Sequence, residues 1–126
     1  MLRNNGILRA AAAALFLAAA TPANAEHWQD FGTDDDGTTA YLDTDSVVAS
    51  GNIRTFAMKY VAPSVPAVAY SVIRHRVDCA GRTMDLTHMT AYDAKGEVLI
   101  DVDDTEPASP VKSGTKGETV FRKVCQ

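Results

Sequence analysis

The chain has 126 residues, and its sixteen acidic residues outnumber its twelve lysines and arginines, for a formal charge of −4. An acidic balance disfavours nucleic acid and anionic lipid as partners, because both repel it. One domain of ordinary size accounts for the whole length.

Arg3 and Arg9 open the chain with positive charge, and Ala10 to Ala20 is an unbroken apolar run with Leu15, Phe16 and Leu17 at its centre. Pro22 follows, then the small-x-small triplet Ala23-Asn24-Ala25. This pattern reads as a cleavable secretory signal peptide over residues 1–25, since the run is too short for a hydrocarbon core of about 30 Å. The expected mature product is a single exported domain, 26–126, periplasmic or secreted. With Arg3 and Arg9 removed, ten basic residues face sixteen acidic ones, a formal charge of −6. No cysteine stands near the cut, so neither a lipid anchor nor a membrane span is expected in the mature chain.

His27 to Phe31 is a short segment ended by aromatic residues, and Asp34-Asp35-Asp36-Gly37 is a hairpin signal, because both residues of Asp-Gly tolerate positive φ. The return strand, Thr38 to Asp43, sets Thr39 and Tyr41 on one face and Ala40 and Leu42 on the other. Turn-like residues follow at Asp43-Thr44-Asp45-Ser46, then a small apolar plug, Val47-Val48, and a turn at Ser50-Gly51-Asn52. Ile53 to Val61 is a strand with Phe56, Met58 and Tyr60 on one face. Its loop, Ala62 to Ala67, contains Pro63 and Pro66, which cannot donate to a ladder.

Tyr70 to Cys79 is the next strand, with Ile73, Val77 and Cys79 opposite Arg74, Arg76 and Asp78. From Arg82 to Tyr92 clean alternation places Met84, Leu86, His88, Thr90 and Tyr92 together. A turn at Asp93 to Gly96 leads to a last strand, Glu97 to Val102, and a polar loop, Asp103 to Gly114. Thr115-x-x-Glu118 is a capping box, after which Val120, Phe121 and Val124 recur at helical spacing. The expected fold is α+β: a small antiparallel meander of about five to six strands with a short C-terminal helix packed on it.

The chain's two cysteines, Cys79 and Cys125, read as one structural disulfide in an exported protein of this size. A metal site wants three or four ligands and a redox pair usually has Cys-x-x-Cys spacing. Counted back from Gly37, the acidic run fails the EF-hand pattern at positions one and twelve, Gly32 and Asp43. His27, His75 and His88 lack metal spacing, and no nucleophile-elbow, phosphate-loop or zinc-hydrolase pattern occurs. The expectation is therefore a protein with no catalytic residues, metal or cofactor. A metal protein or enzyme built on His75, His88 and the 101–104 acidic loop is the distant alternative. Arg54, Lys59, Arg74 and Arg76 form the candidate binding face, with Arg82 extending the basic stripe, for an acidic or glycan partner.

The ordered set Trp28, Tyr41-Leu42-Asp43-Thr44-Asp45-Ser46-Val47, Gly51-Asn52-Ile53-Arg54, Val77-Asp78-Cys79 with Arg82-Thr83, Tyr92-Asp93-x-x-Gly96 and Cys125 resembles the surface-adhesin protein E family over nearly the whole mature chain. The resemblance implies a small antiparallel sheet with a C-terminal helix and a disulfide, in an exported, non-catalytic binding module. It further implies extracellular-matrix or envelope proteins as partners, of the kind of vitronectin and laminin. A soluble periplasmic accessory or structural protein without a host ligand is the rival reading.

Overall fold

The computed structural model describes residues 27–104 and 107–126; the signal-peptide reading falls on residues outside that range. Strands β1 (Trp28–Thr33), β2 (Thr39–Asp43), β3 (Val48–Ser50), β4 (Ile53–Val61), β5 (Tyr70–Asp78), β6 (Thr83–Tyr92), β7 (Val98–Asp103) and β8 (Ser109–Pro110) are followed by helix α1 (Lys116–Val124). All pairings are antiparallel, in the order β1-β2-β4-β5-β6-β7, with β3 added to β4 and β8 to β6. The described residues therefore form eight strands, more than the five to six expected. The additional pairings come from segments with little local signal. β3 takes Val48 from the apolar plug and Ser50 from the turn that the sequence predicts, and β8 lies in the polar loop, where Pro110 is tolerated because it sits at an edge.

The side chains of β4 alternate as a strand must. Phe56 and Met58 face the helix, and Ala40 and Leu42 of β2, Val77 of β5, and Val120, Phe121 and Val124 of α1 close over them. Phe56 and Leu42 are fully buried, and each such side chain contributes about 1.5–3 kcal/mol of hydrophobic stabilisation. The core thus lies between α1 and one face of the sheet. Among the described residues, no helix covers the opposite face.

Helix α1 starts where the capping box placed it. The Glu118 amide donates to Thr115 Oγ1 at 3.2 Å, satisfying one of the orphan donors of the first turn. Glu118 does not close the box on Thr115; its Oε1 accepts from the Gly114 amide at 3.0 Å and pairs with Arg122 at 2.9 Å. At the other end, Cys79 and Cys125 form a disulfide with Cα atoms 5.7 Å apart, bolting the helix to the end of β5.

Two irregularities shape the faces. β2 and β3 share one edge of β4 but are separated by a 3-10 turn, Thr44–Ser46. Ser46 Oγ bridges the gap, accepting from the Ala57 amide at 2.8 Å and donating to the Asp43 carbonyl at 2.7 Å, so no ladder donor is left unpaired there. In β6, Arg74 pairs with His88 and His75 with Leu86, leaving Thr87 as an extra residue. This bulge corrects the expected single face from Met84 to Tyr92. Met84 and Leu86 share the helix side with His75 and Val77, whereas His88, Thr90 and Tyr92 share the open side. One extra residue inverts the inward and outward sets beyond it.

Candidate functional site

The helix-free face is where unabsorbed polar and aromatic side chains gather. Register sets Tyr41 opposite Lys59, Lys59 opposite Val72, and Tyr70 opposite Tyr92. Trp28, opposite Asp43 on the edge strand β1, completes the row. The Lys59 ammonium lies 5.0 Å from the Trp28 ring centre, 5.0 Å from that of Tyr41 and 5.9 Å from that of Tyr70. An exposed cation over aromatic rings gains about 0.5–1 kcal/mol, here from one ammonium shared among three rings. Tyr70 and Tyr92 stack with centroids 4.8 Å apart. Around them is a concavity of about 480 Å³ lined by Trp28, Asp43, Ser46, Ala57, Lys59, Tyr70, Val72, Arg74 and Tyr92, within the usual size range of a ligand site.

Arg74 and Arg76 project on this same face, two residues apart on β5, and both are exposed. Neither enters an ion pair among the described residues. Carboxylates share this face: Asp43 Oδ1 accepts the Asp45 amide at 3.0 Å, Asp103 and Asp101 hold the two ring nitrogens of His88 at 2.6 Å each, and Asp85 stands directly across from Arg76 on β6. The hydrogen bond to Asp103, then that to Asp101, raises the His88 pKa above its ordinary value.

Arg54 does not join this surface. It alternates with Phe56 on the helix side, where its Nε donates to the Val124 carbonyl at 3.1 Å and Nη1 to Gly51 at 2.8 Å. It caps the C-terminal end of α1, where carbonyls lack helical partners. Arg82 is likewise occupied, its guanidinium 4.9 Å from the Phe121 ring centre and 3.4 Å from Glu118. Of the four expected face residues, the fold brings together Lys59, Arg74 and Arg76. It adds Trp28, Tyr41, Tyr70 and Tyr92, which sequence reasoning missed. These rings sit on four strands, so only pairing register could have assembled them. The Pro63–Pro66 loop joins β4 to β5 beside the Lys59 and Tyr70 rungs.

His75 and His88 lie on opposite faces and do not meet. His75 is buried, stacks on Phe56 at 5.5 Å and shares a 3.2 Å hydrogen bond with the Tyr60 hydroxyl. Burial pushes its pKa down to about 4. Among the described residues no group of three His, Cys, Asp or Glu could hold a metal ion, and no helix is long and apolar enough to cross a membrane. The 34–37 acidic turn is tied to the fold instead, Asp34 pairing with Lys116 at 2.8 Å.

The described residues form a small antiparallel-sheet domain, backed on one face by a disulfide-anchored helix and carrying an aromatic, cationic concavity on the other. The chain belongs to the Surface-adhesin protein E family, whose model matches residues 28–126. Neither the comparison with curated proteins nor that with solved structures returned a match.

Proposed function

We propose that this protein is an exported, non-enzymatic binding module that meets an extracellular-matrix or envelope protein on its helix-free sheet face. The observation that carries the reading is the segregation of the two faces. One is consumed by the core and by the Arg54 cap, while the other leaves Lys59, Arg74 and Arg76 beside a concavity lined with aromatic rings. Family membership supports the same reading. Fold alone does not name a ligand, so the site carries the proposal.

The test has two arms. Fractionation with protease shaving of intact cells reports location, and surface exposure is expected for an adhesin. A purely periplasmic protein would favour the accessory role. In the second arm, purified protein is offered immobilised vitronectin and laminin. Charge reversal at Arg74→Glu with Arg76→Glu is expected to abolish capture, and undiminished capture by the variant would remove this face from consideration.

A further inference from the structure

The concavity has a chemistry more specific than a flat protein-binding surface requires. Its rings come from three parts of the sheet: Trp28 on β1, Tyr70 at the start of β5, and Tyr92 at the end of β6. Lys59 rises between Trp28, Tyr41 and Tyr70, and Arg74 lines the wall. Arg76 continues the positive row along β5. The face also carries Asp43, Asp85, Asp101 and Asp103, with Asp85 opposite Arg76, so the attraction for negative charge is local to Lys59 and Arg74, which line the concavity and have no ion-pair partner among the described residues.

Charge alone would need no rings. An acidic peptide presents carboxylates on flexible stems and gains little from an aromatic floor. A sugar ring presents a flat face of C–H bonds that packs on an aromatic face, and an acidic sugar adds a carboxylate or sulfate at its edge. The concavity supplies both halves, with Tyr70 and Tyr92 held stacked before any ligand arrives, which lowers the ordering cost of binding. We propose that it binds an acidic glycan, with sugar rings on Trp28, Tyr70 and Tyr92 and anionic groups on Lys59, Arg74 and Arg76. This inference rests on the helix-free face being the binding face, as set out above, and names the chemistry of what is bound there.

The experiment measures binding of the purified protein to four probes: heparin, hyaluronan, dextran and poly-L-glutamate. The sole tryptophan of the chain, Trp28, lines the concavity, so its emission reports occupancy directly. Binding to heparin that weakens with added salt is expected, with no binding to dextran and at least tenfold weaker binding to poly-L-glutamate. Binding to hyaluronan as well would assign a carboxylated sugar as sufficient; binding to heparin alone would assign a sulfated one.

Arg74→Ala with Arg76→Ala is expected to weaken heparin binding at least tenfold, as is Tyr70→Leu, which keeps apolar bulk but removes the ring. Lys112→Ala with Lys123→Ala, outside the concavity, is the control expected to bind as wild type. If Tyr70→Leu fails to fold, Tyr92→Leu serves the same purpose, and the Trp28 emission change in wild type stands independently. Absence of binding to both acidic glycans overturns the inference, as does equal affinity for poly-L-glutamate with indifference to ring removal. Vitronectin and laminin capture is run in parallel. Capture that is lost in the Arg74 and Arg76 variant, without glycan binding, would overturn the glycan chemistry and leave the binding face standing; loss of every interaction would overturn both.

Discussion

The imidazole of His75 and the phenol of Tyr60 meet 3.2 Å apart beneath α1, on adjacent strands, with Phe56 stacked against the imidazole. Both groups are held neutral by burial, which pushes His75 down to about 4 and Tyr60 up to about 12. Between pH 4 and the unfolded value of about 6.5, the unfolded chain takes a proton that the folded ring refuses. Stability is therefore full above about pH 6.5 and falls as pH drops towards 4, by about 3 kcal/mol for this one group. Urea titrations at pH 4.5 and 7 should show that loss in wild type and a smaller one in His75→Phe. Identical pH dependence in the two proteins would show that the ring is not held neutral.

His88 has the opposite sign. Its raised folded pKa means that its contribution is present below the unfolded value and is lost as pH rises through the folded one. Replacement by Gln should therefore flatten stability on the neutral-to-alkaline side and leave the acidic slope of His75 intact. The pH series on His88→Gln checks the separation of the two windows.

Lys59→Met keeps the aliphatic stem and removes the charge from between three rings. A loss of about 0.5–1 kcal/mol is expected, together with a shift in Trp28 emission. Thermal melting and fluorescence measure the two effects; an unchanged spectrum would mean that the ammonium does not sit over the Trp28 ring in solution.

The Cys79–Cys125 bond closes a sequence separation of 46 residues. On the chain-entropy model, replacing both cysteines by serine should cost roughly 4 kcal/mol. Non-reducing mass spectrometry should recover the two cysteines in one linked fragment from exported protein. Two free thiols would contradict the anchored helix.

Thr115→Ala removes the acceptor for the Glu118 amide and should cost about 1 kcal/mol. Thr115→Ser should retain most of it. Urea unfolding distinguishes the two, and equal losses would mean that the hydroxyl is not the cap.

Local signals were legible wherever a residue acts on its chain neighbours. The alternation of Ile53–Val61 marked β4 at both ends, Asp36-Gly37 marked the first hairpin, and Thr115 marked the start of α1. The bulge at Thr87 was not legible, because Met84 to Tyr92 alternates as cleanly as an unbroken strand does. Its extra residue exists only in relation to β5. β8 is similar, two residues whose strand character comes from pairing with Thr83 and Met84.

The candidate site divides along the same line. Residue chemistry picked out Lys59, Arg74 and Arg76 as cations on strands, and the family's ordered residues were readable from Trp28 to Cys125. Arg54 looked the same in the sequence, yet alternation about Phe56 sends it to the helix side, where the Val124 carbonyl takes it. The rings of Trp28, Tyr41, Tyr70 and Tyr92 are far apart in the chain and become neighbours only through strand register. The sequence by itself determined the longer strands and the C-terminal helix, the core-facing residues of β4, and the cysteine pair, because these follow from periodicities of two and 3.6 residues and from the cysteine count. Only the tertiary structure decided which cations stay unpaired beside a shared set of rings, because long-range backbone pairing places those side chains on one face.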